Sequence, residues 1–521
     1  MTERENDPVD PGPQALNGAV SADQGSSNST EPARPSFGLA VSWSYALTGG
    51  RTVVTLIVSL VLARLLGPEV FGAVAMANVL VLFIEMFVRQ GLVAAIVQRP
   101  NLTRLHLDTA FWMTAGAVGL LTPLTIAVSG WWANVNALPE LRWLIIGLAP
   151  MLVFKGLGVV QEAQIRRNMD FRALAVRTNV AVLIGGAVGL GTAFGGAGVW
   201  ALVAQQLTTA AIELVMIWRL SSWRPRMRYE RECAGQLFSF TGRTLLAALG
   251  NFVNIRSDAL LIGLFFGPVA VGLYRMAVRF ISLSLEITVD ALQSVFLPEL
   301  SRSNGDQESF NRRTVVIVRY GAILAIPLLG ALAAASDPLM MLLGEEWAPA
   351  APALRLLCIL AAVQAIALFV APILQAAGRP GVHAWLTWIS AVLSAGSFTA
   401  SGLLLTEYDV ATQVAWLAGI RVAVFAPTLF VIVLPVLKRT LGLAPTLIVR
   451  AIWPSGAAAL LGFLSVFGLR EAIGSAWLSP PPVGIAATGL LAAAVAAGSL
   501  ALTDPVARSF PGLLLRKVRA R

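Results

Sequence analysis

Between Gly242 and Ile281 an apolar stretch carries Arg243, Asn251, Asn254, Arg256, Asp258, Arg275 and Arg279. One Arg or Asp at the centre of a bilayer costs roughly 2.5–3.5 kcal/mol on insertion scales. A chain that accepts this several times predicts a water-filled cavity. At helical spacing, positions 243, 247, 251, 254 and 258 share one side, which places Arg243, Asn251, Asn254 and Asp258 in a stripe. In the following helix, 275, 279, 282, 286 and 290 align Arg275, Arg279, Ser282, Glu286 and Asp290. Two facing polar stripes predict the wall of a pathway.

Further cations lie earlier in the chain, at Arg51, Arg89 and Lys155. With Arg243, Arg256, Arg275 and Arg279 they form the candidate substrate-binding set. They outnumber the acidic groups within apolar spans, Glu85, Glu213, Asp258, Glu286 and Asp290. An excess of buried cations calls for an anionic cargo. The planar guanidinium fork binds phosphate bidentately, and a diphosphate would satisfy two or three such groups; Arg51, Lys155, Arg256 and Arg279 are the expected holders. Each charge also has a structural reading. Glu85 and Arg89 are spaced to neutralise each other on one helix, and Arg64 and Arg355 lie where they could reach headgroups. Glu85, Asp258, Glu286 and Asp290 are candidates for taking up Na+ or a proton that couples transport to an ion gradient. They serve equally as counter-ions, and the sequence leaves both open.

Other chemistry finds little footing. The histidines are His106 and His383 and the cysteines Cys233 and Cys358, none paired at metal-ligand spacing, so no metal site and no cofactor are expected. There is no GxxxxGK[ST] phosphate loop. A membrane glycosyltransferase or polymerase would need folded outer loops with acidic groups. The longest candidates, 336–352 and 470–482, are short and lack paired His or Asp. The expectation is a protein that is not an enzyme and has no catalytic residues.

The elements that must position these charges are membrane helices. Of 521 residues, 57% are hydrophobic and only 13% charged, against about a quarter charged in soluble chains. The mean hydropathy is +0.75. From Phe37 onward about fourteen apolar spans are legible, most exceeding the ~20 residues that cross a bilayer. With an even number, both termini share a side. That side then receives 26 of the 38 Lys and Arg and the other only Arg142 and Arg470, so the positive-inside rule makes the termini cytoplasmic. The basic runs read as lipid anchors rather than nucleic-acid contacts. Residues 1–36 are acidic and rich in Pro, Gly and Ser, the composition of a disordered tail, and lack the pattern of a signal peptide.

The chain also echoes itself. Leu60, Gly67, Pro68, Gly72, Met76 and Ala77 recur 200 positions on as Leu260, Gly267, Pro268, Gly272, Met276 and Ala277. Pro139-Glu-Leu-Arg142 is echoed more faintly by Pro352-Ala-Leu-Arg355. Such duplication predicts an all-α polytopic protein of two pseudo-symmetric six-helix bundles with the site between them. The expected units are 37–235 and 236–440, two additional helices within 441–503, and a basic tail at 504–521.

Several blocks resemble a known family: Arg89-Gln-Gly-Leu-Val-Ala-Ala-Ile-Val-Gln-Arg99, Asp108-Thr-Ala-Phe-Trp112, Gly198-Val-Trp-Ala-Leu-Val-Ala-Gln-Gln206, Asp258-Ala-Leu-Leu-Ile-Gly263 and Leu343-Gly-Glu-Glu-Trp-Ala-Pro-Ala-Ala-Pro352. In order and at matching spans, they are similar to the Wzx-type lipid-linked oligosaccharide flippases of the multidrug/oligosaccharidyl-lipid/polysaccharide exporter superfamily. The likeness is closest to the colanic acid and succinoglycan exporter branch. It covers roughly residues 37–439. The resemblance implies two six-helix bundles around a central cavity, and alternating access that carries undecaprenyl-diphosphate-linked repeat units between leaflets of the bacterial inner membrane. It further implies polysaccharide polymerase and chain-length or export proteins as partners. A drug or metabolite exporter and a lipid II flippase of the same superfamily are the rival expectations.

Overall fold

The computed structural model describes residues 37–89, 92–99, 101–290, 307–473 and 480–504, and every regular element among them is helical. The expected N-terminal tail, and the basic tail past Asp504, lie outside the described residues. An all-helical build follows from the medium, because in lipid a helix satisfies its own backbone hydrogen bonds.

Two long helices organise the molecule, α1 (Phe37–Arg89) and α9 (Arg231–Leu285). Each is interrupted by one glycine, Gly67 at φ 73° and Gly267 at φ 80°, followed by a proline. That left-handed backbone is open to glycine without strain. The arms on either side fold back on one another. Asp258 and Arg275 meet at 3.0 Å, whereas in a straight helix their 17-residue separation would span about 25 Å. In α1, Thr55 and Asn78 line the same chamber.

Among the described residues eleven helices are long and apolar enough to cross a bilayer, or twelve if one bent pair counts as a single span, against the fourteen expected. The two counts part at the hairpins. The α1 and α9 segments each count once, although each contains two arms either side of its glycine.

The echoed glycines explain how the hairpins meet. A Cβ on Gly72 would strike the Pro268 carbonyl oxygen, and one on Gly272 would strike that of Pro68. Repeated segments thus touch through reciprocal backbone contacts. A short 3-10 turn, Glu345–Ala350, completes this end. Trp347 is 1% exposed, donates from Nε1 to the Ala63 carbonyl at 3.1 Å and packs edge-on against Phe71. Arg64 donates to the Leu342 carbonyl at 2.7 Å, so it is held by backbone there. The Gly-Pro end is sealed.

Around α1 pack α3 (Arg104–Val135), α4 (Glu140–Leu148), α5 (Pro150–Gly156) and α7 (Phe171–Phe194). The helix α6 (Val159–Arg167) continues α5 across a 41° bend, and α8 (Trp200–Leu220) packs on α7. Around α9 pack α12 (Ala351–Ala367), α14 (Pro380–Leu404) and α15 (Val410–Thr428). His106 belongs to a capping box with Thr103 at the start of α3, a terminal role that its sequence position suggests. The last two helices, α17 (Pro445–Ile473) and α18 (Pro481–Thr503), pack on α10 (Gln307–Ala334). Ion pairs hold them at both ends. Arg319 grips Asp504 through two contacts of 2.9 and 2.6 Å, and Arg470 reaches Asp337 at 2.6 Å, which Arg355 also engages. Arg355 is therefore paired rather than extended to headgroups.

Candidate substrate cavity

Three adjoining chambers of about 740, 480 and 480 Å3 lie between α9 and the helices grouped around α1. Arg256 lines the first and second; Arg275 and Arg279 line the second and third. Together the chambers are lined by six basic side chains, Arg89, Lys155, Arg166, Arg256, Arg275 and Arg279, and four acidic ones, Glu85, Glu162, Glu213 and Glu286.

Most of these charges are neutralised by partners distant in sequence. Glu85 accepts from Lys155 at 2.9 Å and from Arg89 at 3.3 Å. Arg89 also pairs with Glu162 at 3.1 Å, and Glu162 in turn holds Arg166 at 2.8 Å and Arg177 at 3.5 Å. The expected i,i+4 pair of Glu85 and Arg89 exists, but as part of a network joining α1, α5, α6 and α7. Arg275 Nη1 lies 3.0 Å from both carboxylate oxygens of Asp258. Asp258 is buried, lines none of the three chambers and acts as a counter-ion.

Arg256 and Arg279 differ. Among the described residues neither makes a hydrogen bond or an ion pair, and the Nε of Arg279 is buried without an acceptor. The charges that act on Arg256 are those of Arg275, Asp258 and Glu85, and on Arg279 those of Arg275 and Glu286. Both are half-buried and line the second chamber, where guanidinium groups without a bonded carboxylate attract an anion.

Glu286 lines the third chamber and accepts from Thr52 Oγ1 at 3.0 Å. It opens a short π-helical turn, Glu286–Asp290, a geometry that recurs at functional sites. The second expected stripe thus faces the cavity, with Arg275, Arg279, Ser282 and Glu286 all lining it. The first reaches it through Asn251. The α9 arm presents Ala248, Asn251, Phe252, Ile255, Arg256 and Ala259 to the chambers, while Asn254 lines none of them and Asp258 turns to its own hairpin. The side chains of Arg51, Arg243 and Asp290 lie outside the described residues.

Sequence reasoning missed Glu162 and Arg177, whose charge sits on helix ends that read as surface. It also missed Asn78, Gln205 and Gln206, neutral groups with no cost signal strong enough to mark them. Both cysteines are free and buried. Burial and the Glu230 carboxylate push the Cys233 thiol up to about 11, which keeps it protonated. Among the described residues no cluster of His, Cys, Asp or Glu could hold a metal.

Helical hairpins enclosing a polar cavity across an apolar belt define a membrane transporter. The chain belongs to the family described as "Polysaccharide biosynthesis protein", which matches residues 61–352, more than half of its length. It is 27% identical over 359 residues to the succinoglycan biosynthesis transport protein ExoT of Rhizobium meliloti (strain 1021), covering 68% of this chain and 72% of that one. It is 20% identical over 322 residues to the lipopolysaccharide biosynthesis protein WzxC of Escherichia coli (strain K12), covering 61% and 65%. Among solved structures, it superposes on the lipid II flippase MurJ in an inward closed conformation with a TM-score of 0.70 at 12% identity, covering 88% of this chain and 98% of that one. A MATE family multidrug transporter in an inward-facing conformation gives a TM-score of 0.51 at 15% identity, covering 82% and 95%. The expected fold class is thus found.

Proposed function

We propose that this protein is a flippase that carries polyprenyl-diphosphate-linked oligosaccharide repeat units from the inner to the outer leaflet by alternating access, for exopolysaccharide synthesis. The carrying observation is the pair of uncompensated guanidinium groups, Arg256 and Arg279, on the wall of a cavity between two duplicated hairpins. A diphosphate offers paired oxygens to such forks. It supplies the negative charge that four acidic side chains leave unmet. Succinoglycan transport in the named relative supports an exopolysaccharide cargo.

Sidedness follows from the positive-inside asymmetry, which assigns the termini to the cytoplasm and the sealed Gly-Pro end to the exterior of the inner membrane. In this conformation the cargo would enter from the cytoplasmic side. Glu286, on its π-helical turn beside Arg279, is the best placed carboxylate to take up a coupling Na+ or proton when cargo neutralises its arginine neighbour. Polysaccharide polymerase and chain-length or export proteins would receive the delivered unit.

Replacing Arg256 and Arg279 together by Ala tests this reading in proteoliposomes loaded with lipid-linked oligosaccharide. Transport is expected to fall at least a hundredfold, two charge-assisted contacts at about 1.5–3 kcal/mol each. Undiminished transport by well-folded double variant would overturn it.

A further inference from the structure

The second chamber is lined by neutral polar groups as well as by arginines. Thr55 and Ser59 of α1's first arm, Asn78 of its second arm, and Gln205 and Gln206 of α8 line one space of about 480 Å3, within the range of ordinary small-molecule sites. None of these five side chains makes a hydrogen bond among the described residues, and the Oδ1 of Asn78 is buried without a donor. Such groups need not be left open inside a membrane. Elsewhere in this molecule Thr114, Thr125 and Thr178 each return the hydroxyl to a helix carbonyl. Buried polar groups without partners cost free energy unless something else supplies those partners.

The set is neutral, and it mixes amide donors and acceptors with hydroxyls that can do either. That suits a polyhydroxylated ligand, whose adjacent hydroxyls both donate and accept, better than a charged one. Position agrees with chemistry. Arg256, Arg275 and Arg279 line the same chamber, and in a glycosyl diphosphate the first sugar is bonded directly to phosphate. Glu213, also lining it and without an ion pair or hydrogen bond among the described residues, adds an acceptor for sugar hydroxyls.

We propose that the chamber bounded by Thr55, Ser59, Asn78, Gln205 and Gln206 is a carbohydrate subsite that binds the sugars attached to the diphosphate held by Arg256 and Arg279. It rests on the flippase reading and gives it specificity: the arginines recognise what all such lipids share, and the amides recognise the glycan.

The test uses the full-length protein in nanodiscs. The probe is the polyprenyl-diphosphate oligosaccharide extracted from the protein's own host, intact and with its sugars removed enzymatically. The variant is Asn78→Leu with Gln206→Met, close in volume so that packing persists; thermal unfolding checks the fold. The wild type is expected to bind the glycosylated lipid better than the bare diphosphate lipid. The double variant should lose that preference, with affinity for the glycosylated lipid falling about tenfold to a hundredfold and affinity for the bare lipid unchanged. Equal binding of the two probes by the wild type, or an equal loss of both in the folded variant, would overturn the subsite. Arg256→Ala with Arg279→Ala should weaken both probes alike. If it weakens neither, the flippase reading fails, whatever the amide variant does.

Discussion

The charged side chains of the cavity divide into those that stabilise the fold and those that strain it. Glu162 collects Arg89, Arg166 and Arg177, so Glu162→Gln leaves three guanidinium groups facing one another. A destabilisation of about 3 kcal/mol is expected, read as a lower midpoint of thermal unfolding in detergent. Arg279 has no such partner, and Arg279→Gln should leave that midpoint unchanged or higher while transport falls. Stability lost at functional positions is commonly regained when they are neutralised. A lower midpoint for Arg279→Gln would show that the guanidinium serves the fold instead.

The hairpins and the 3-10 turn close-pack the Gly-Pro end, and on the proposed sidedness opening toward the exterior must break this packing. Gly72 and Gly272 let the backbones of the two hairpins touch. Gly72→Val pushes a side chain into the Pro268 carbonyl and is expected to unseal the end. The measurement is labelling of a cysteine introduced at Ser59, which lines the cavity, by a membrane-impermeant thiol reagent added outside. Trp347→Phe keeps the ring against Phe71 but loses the hydrogen bond to Ala63. At about 1 kcal/mol, it should raise the labelled fraction roughly fivefold. Unaltered labelling in both variants would mean that the seal lies elsewhere.

Across the molecule, α17 and α18 pack on α10, with ion pairs to it and to Asp337 just beyond it at opposite ends. Asp504 is fully buried against Arg319, so Asp504→Ala leaves a half-buried guanidinium without its carboxylate. It should lower the unfolding midpoint as Glu162→Gln does, yet leave transport of lipid-linked oligosaccharide within about twofold, because neither helix lines the three chambers.

Composition and periodicity were enough to read the helical membrane fold, the duplicated Gly-Pro hairpins and the cavity-facing stripe from Arg275 to Glu286. These follow from local physics: hydropathy acts residue by residue, and helical spacing fixes which neighbours share a face. What the sequence left open was which charges are satisfied. Lys155 finds Glu85 70 residues away, and Arg89 finds Glu162 at a distance of 73. Arg256 lies off the stripe that periodicity marked, yet it lines two chambers, while Asp258 on the stripe is consumed by Arg275. Pairing depends on how whole helices are rotated and docked, and that is set by packing between segments remote in the chain. Only the tertiary structure therefore separates the two arginines that bond to no partner among the described residues from those that hold the protein together.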